Sequence, residues 1–365
     1  MLAAMVDAKM PHNQLFPLPP KVAFDDSVVL KKVNKANKAT FQLNGLLRTL
    51  ENPEMILQPL KVKEAVESSG IENINTTISE ALQAELFSSE KLTPEQKEIK
   101  NYKKALLVGF KKVKDKQILT TNDFIEIQKE LGIKHLGIRN LAGTKVGNRT
   151  TGEIYYTPPD GETIIRNLLK NFEDYYNNPE DDPDYLVKMA ILHYQFEAIH
   201  PFFDGNGRTG RILMVLYLVL QGNLISPTLF ISQYINKNRS EYYRLLREVT
   251  FDNAWREWIL FILDAVEIQA TKTNQTIIHI LDLKTNFKKN ILPKLKFTYA
   301  QEFLEYLFSN AFYTQAQLIK NTPIQTNKTA GEYLNTLEQK GILKIMESKT
   351  KEKVYYFEDL LKLLE

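Results

Sequence analysis

A chain of 365 residues is more than one small hydrophobic core serves, so two or three domains are expected. Hydrophobic residues at 43% and charged residues at 25% give a soluble globular balance that excludes disordered and fibrous classes. The absence of cysteine removes disulfides, thiolate metal sites and cysteine nucleophiles, and a net charge of +3 sets up no global field toward nucleic acid or membrane.

Four prolines between Pro11 and Pro20 make the first segment an extended lead-in. It has neither a basic n-region nor an apolar block of signal-peptide length. The longest apolar run, Ile212 to Leu220, is too short for a bilayer span, so a cytoplasmic protein without membrane contact is expected. From Val33 to about Glu85 the pattern is helical, with Ala39, Leu43, Leu46, Leu47 and Leu50 on one face. A second helix is predicted over Gln58–Ser69 with Gly70 as its C-cap, and a third opens at Thr77 with Thr77 or Ser79 as cap. Helices over Leu92–Lys111 and Asn122–Gly132 follow cap signals at Thr93-Pro94 and Thr121-Asn122-Asp123.

Between Gly137 and Gly161 the texture changes. Glycines and the alternation Gly152-Glu153-Ile154-Tyr155-Tyr156 predict a β-hairpin closed by Pro158-Pro159. Helices resume over Thr163–Asn177, Tyr185–Ile199, Thr209–Leu220 and Ser240–Val249, and a long one follows Asp252 through at least Asp282. A basic stretch at Asn290–Lys296, with Pro293, marks a domain boundary. Beyond it, helices at Tyr299–Ser309, Thr314–Lys320 and Asn327–Lys340 precede strands at Leu343–Met346 and Lys353–Phe357 around a polar SKTKE turn. That order reads as a winged helix.

Twelve residues, HPFFDGNGRTGR from His200 to Arg211, concentrate the chemistry. Gly205 and Gly207 flank Asn206 before a helix, a turn whose N–H groups and helix terminus suit an anion. Arg208 and Arg211, three apart, lie on one face and can clamp a polyphosphate. Asp204 is a hard oxygen donor where Mg²⁺ bridging phosphates would sit. His200 is the group whose ordinary pKa suits proton abstraction near neutrality.

This stretch resembles the signature of the Fic domain family, HxFx(D/E)GNGRxxR, at every fixed position. The resemblance implies a mainly α fold: a Fic-type helical core with a small β-hairpin flap, an N-terminal helical region over 1–90, a core over 91–288 and a winged helix over 289–365. It implies transfer of AMP from ATP to a protein hydroxyl. His200 would be the general base and Asp204 the Mg²⁺ ligand. Gly205, Asn206, Gly207, Arg208, Thr209, Gly210 and Arg211 would hold ATP. In the branch of Fic-like proteins that phosphorylates, lysine replaces the second motif glycine; Gly207 here favours nucleotidyl transfer. The segment 145–159 looks like the family's flap, which docks an extended target segment by β-augmentation. SQYINKNRSEYYRLL is similar to the following helix, where Tyr242 and Tyr243 would border the adenosine; plain core packing is the alternative for both.

Ser68 to Asn73 (SSGIEN) fits the (S/T)xxxE(G/N) pattern of self-restrained Fic proteins. The resemblance implies that Glu72, in a segment begun by Ser68, pairs with Arg211 and takes the guanidinium that the γ-phosphate needs. Simple helix capping is the alternative for Glu72. The winged helix leaves DNA binding, protein contact and dimerisation open; Lys344, Lys349, Lys351 and Lys353 form its one basic patch. The expected function is a protein adenylyltransferase acting with Mg·ATP on Ser, Thr or Tyr hydroxyls, self-modification included. Removal of AMP at the same site, or a non-catalytic nucleotide-sensing DNA-binding regulator, are the competing readings.

Overall fold

The structure is a computed structural model that describes residues 6–147, 151–179, 183–346 and 353–365. The helices that open the chain are α1 (Ser27–Arg48), α2 (Pro53–Ile71), α3 (Ile78–Ala84), α4 (Pro94–Lys116) and α5 (Thr121–Glu130). A hairpin of β1 (Val146–Gly147) and β2 (Ile154–Tyr156) follows, then α6 (Glu162–Asn177), α7 (Tyr185–Ile199), α8 (Asn206–Leu220), α9 (Ser232–Lys237), α10 (Arg239–Asp252) and α11 (Trp255–Asn286). The last stretch carries α12 (Ala300–Ser309), β3 (Phe312–Tyr313), α13 (Gln315–Asn321), α14 (Asn327–Gln339), β4 (Lys344–Met346), β5 (Val354–Tyr356) and α15 (Glu358–Leu364). No helix among the described residues is long and apolar enough to cross a membrane.

Side-chain caps set several of the starts. At α3 the Thr77 hydroxyl accepts from the Glu80 N–H at 3.1 Å while the Glu80 carboxylate accepts from the Thr77 N–H at 2.9 Å. α5 repeats the device with Thr120 and Asp123, so its cap is Thr120 and not the expected Thr121. Asp184 caps α7 through the Leu186 N–H. α2 departs from expectation at both ends. It starts at Pro53, whose fixed φ suits a first turn, and it runs through Gly70 to Ile71. The left-handed stop falls on Asn73 (φ 62°), because asparagine tolerates that region as glycine does.

The chain divides into two compact units, Met1–Gly45 with Asn101–Thr271 and Leu46–Lys100 with Lys272–Glu365. In the first, α7 and α8 form the centre. Both are apolar on nearly every side, the mark of helices surrounded by other elements. The lead-in is extended, as expected, and tied down. His12 donates its N–H to the Thr157 carbonyl at 3.0 Å, and Phe16 stacks on Tyr194. In the hairpin, Val146 pairs with Tyr156 and Gly147 with Ile154; the tip, 148–150, lies outside the described residues.

In the second unit α2 packs on α3, α12 and α15. Helices α12 to α14 and the strands make the winged helix, with an antiparallel sheet ordered β3-β5-β4. β3 and α15 were not predicted: a two-residue strand carries no period, and α15 is too short to show one. Lys344 pairs with Glu358 at 2.8 Å, and Lys353 precedes β5; the SKTKE turn with Lys349 and Lys351 lies outside the described residues.

Candidate active site

The motif begins where α7 stops. Pro201 has no N–H to continue the helix, and His200 closes it in the left-handed region at φ 49°, ψ 57°. That conformation costs a non-glycine residue on the order of 1 kcal/mol, so neighbours must hold it. Asn206 is one of them. Its side chain accepts from the Phe202 N–H and donates to the Phe202 carbonyl, both at 2.8 Å, and it is almost fully buried. The loop from Phe202 to Asn206 is thereby stapled shut.

Gly205 is the N-cap of α8 at φ 81°, ψ 10°. A Cβ there would combine a strained backbone with a Leu131 methyl at 3.1 Å. The helix accordingly begins at Asn206, three residues before the expected Thr209. Asn206, Gly207 and Arg208 are its first turn, where the N–H groups lack intrahelical partners and favour an anion. Gly207 is therefore helical and not part of a preceding bend.

The charges are arranged around that turn. Asp204 is 61% exposed, and its Oδ1 accepts from the Gly205 N–H at 2.6 Å and from Arg208 Nη2 at 3.0 Å. Arg208 is 5% exposed, so its carboxylate partner fixes a guanidinium that is otherwise deep. Both contacts use one Asp204 oxygen, and the exposed carboxylate fits a hard cation. No group of three or more His, Cys, Asp or Glu able to hold a metal occurs among the described residues. One carboxylate completed by phosphate oxygens and water is a donor set that suits Mg²⁺.

Gly210 sits where α8 crosses α7. A Cβ would meet the Glu197 carboxylate and stand 3.2 Å from the Phe196 ring. Behind it is a buried polar group: His193 Nε2 lies 2.9 Å from the Tyr242 hydroxyl, and its ring stacks on Trp258. Burial, and then the charge of Arg211, push the His193 imidazole down to about 3. Protonation then favours the unfolded chain, where histidine titrates near 6.5. Stability is full above that value and is expected to fall by at most ~1.4 kcal/mol per pH unit as the pH drops toward 3. Denaturant midpoints at about pH 7 and about pH 5 measure that slope, and His193→Gln should flatten it.

Tyr242 is therefore wall: 1% exposed, with its hydroxyl on His193. Tyr243 is 39% exposed beside it, with ring centroids 5.2 Å apart. His200, Asp204, Gly205, Asn206, Gly207, Arg208, Thr209, Gly210 and Arg211 all lie on the one loop and first two turns of α8. Ser68 and Glu72 belong to the second unit, at the end of α2, where the Glu72 N–H bonds back to the helix.

Sequence reasoning missed two braces under the loop. Gln128 donates to the Asp204 and His135 carbonyls, each at 3.2 Å, and accepts from the Gly137 N–H. Arg139 donates Nε to the His200 carbonyl at 2.7 Å, and Ile138 pairs with Phe202. Their partners in the motif, Asp204 and His200, lie 76 and 61 residues away in sequence, and no local pattern marks them.

Comparison with known proteins agrees with this geometry. Residues 30–111 match the Fic/DOC family N-terminal model, 118–218 the Fic/DOC family model, and 283–360 that of the protein adenylyltransferase SoFic-like C-terminal domain. A protein adenylyltransferase Fic of Aedes aegypti is 30% identical over 154 residues, 41% of this chain and 29% of that one. A probable protein adenylyltransferase of Aquifex aeolicus is 27% identical over 203 residues, 54% of this chain and 56% of that one. The chain thus spans less than two thirds of the length of these curated relatives. Among solved structures, a Fic family protein of Desulfovibrio desulfuricans aligns with a TM-score of 0.54 at 16% identity, covering 94% of this chain and 98% of that one. Motif, fold and the three matched segments converge: this chain belongs to the Fic/DOC family.

Proposed function

We propose that the protein is an adenylyltransferase that moves AMP from Mg·ATP to a Ser, Thr or Tyr hydroxyl of a protein. The observation that supports the reading is the stapled loop, which carries Asp204 paired with Arg208 at the N-terminus of α8, with His200 just before it and Arg211 one turn on. The phosphates sit against the first turn of α8, with Arg208 and Arg211 on the outer groups. Asp204 would hold the Mg²⁺, which supplies charge neutralisation across the phosphates. His200 takes the proton of the attacking hydroxyl; the new bond forms to the α-phosphorus, its bond to the bridging oxygen breaks, and pyrophosphate leaves. Tyr243, exposed near the buried Tyr242, borders the adenosine, and the target segment adds to the hairpin at 145–159. Incubation with α-labelled ATP tests the reading: covalent label on protein that disappears in His200→Ala supports it, whereas specific DNA retention without label favours the regulator.

Glu72 is the brake in this proposal, paired with Arg211 so that the γ-phosphate is misplaced. Glu72→Gly is expected to raise self-modification by on the order of tenfold, the equivalent of one ~1.4 kcal/mol interaction removed. Equal rates for purified variant and wild type would remove the brake from the account.

A further inference from the structure

Arg139, in the loop region of the first unit, is almost completely buried, with 1% of its surface exposed. A guanidinium so placed must have its donors satisfied, and here the acceptors come from two separate parts of the fold. On one side are the carbonyls that end α7: His200 at 2.7 Å from Nε and Ile199 at 3.3 Å from Nη2. Such terminal carbonyls lack helical partners and carry the negative end of the helix dipole. On the other side is the stem leaving β2. Nη2 also donates to the Pro159 carbonyl, and Nη1 stands 3.8 Å from the Asp160 carboxylate. Burial draws the guanidinium pKa down, and Asp160 opposes that.

The backbone of the same residue adds a third tie, its N–H donating to the Pro201 carbonyl at 2.9 Å. A parallel link runs from the Tyr156 hydroxyl to the Ala198 carbonyl at 2.9 Å. The left-handed turn at His200 and the root of the hairpin are thus fastened to one planar fork. Lysine, with a single compact head, cannot reach both.

We propose that Arg139 is a positioning residue: it fixes the carbonyl of His200 and the hairpin stem in one frame, so that the general base and the docked hydroxyl meet in register. This deepens the adenylyltransferase reading and rests on it. A filler role in the core would instead make Arg139 matter for stability alone.

Arg139→Lys is the test, read by amide hydrogen exchange, ATP affinity and transfer from α-labelled ATP. Exchange should quicken by about tenfold or more at residues 200–206 and at 154–157, while the middle of α7 is unmoved. ATP affinity should stay within about threefold, and the transfer rate should fall by roughly 30-fold or more, as expected for a base misplaced by a fraction of an ångström. Guanidinium ion added to Arg139→Ala should restore part of the rate. A folded Arg139→Lys with unchanged exchange at both segments and an unchanged rate overturns the proposal, as does exchange that quickens evenly along α7. If Arg139→Lys fails to fold, Asp160→Asn loosens the stem side of the same grip and is read in the same way. Should neither wild type nor Glu72→Gly transfer label, the adenylyltransferase reading falls, while the exchange comparison still decides whether the fork joins the two segments.

Discussion

Alanine at His200 is expected to lower transfer of label from α-labelled ATP by about 10²- to 10⁴-fold, the usual share of a general base. His193 is a poor substitute, its imidazole pushed down to about 3 by burial and its Nε2 committed to Tyr242. Nucleotide affinity should change by less than about threefold, because the proposed anion site is the helix terminus and the guanidiniums, which do not need the base. His200 also occupies a left-handed position that alanine tolerates poorly. His200→Asn is therefore the cleaner variant, since asparagine accepts that conformation and still cannot take the proton. If His200→Asn keeps wild-type turnover while folded, the base assignment is wrong.

The second large effect is expected at Asn206, which touches no proposed reactant through its side chain. Asn206→Ala leaves the Phe202 N–H and carbonyl unpaired in a buried site, at about 1–3 kcal/mol for each group. The loop would relax, and with it the spacing between His200, Asp204 and the first turn of α8. A displacement near one ångström costs on the order of 10² in rate. Asn206→Asp should rescue little, because it keeps one acceptor, loses the donor to Phe202 and adds a negative charge at the proposed anion site. Thermal unfolding and label transfer should both drop. A variant that melts earlier yet transfers at the wild-type rate would show that the staple does not shape the site.

Much of this was legible in the chain. The helix over Tyr185–Ile199 and the position of the motif needed only a long, mostly apolar run and a cluster of glycines and charges. Helix starts were less readable where two hydroxyls compete, as at Thr120 and Thr121, because only geometry chooses between them. The start of α8 was misplaced by three residues since glycine and asparagine read as turn, and the Asn206–Phe202 staple, though only four residues long, is a side-chain bond that the letters do not show. Arg139 and Gln128 were invisible for the same reason: a buried polar residue has the same letter as an exposed one. The grouping of residues 46–100 with 272–365 also has no sequence signature, because it arises from faces that meet across two hundred residues.

That grouping has a consequence for how the protein can be shortened. α2, the helix that ends in the proposed brake, rests on α12 and α15, with Met55 beside Lys284 and Lys63 reaching the carbonyl of Glu365. Cutting away the last eighty residues would strip a greasy helix of its cover in the same stroke as it disturbs Glu72. Solubility and the proposed restraint would then be lost together, because the cut that bares sticky surface also frees the segment that carries Glu72.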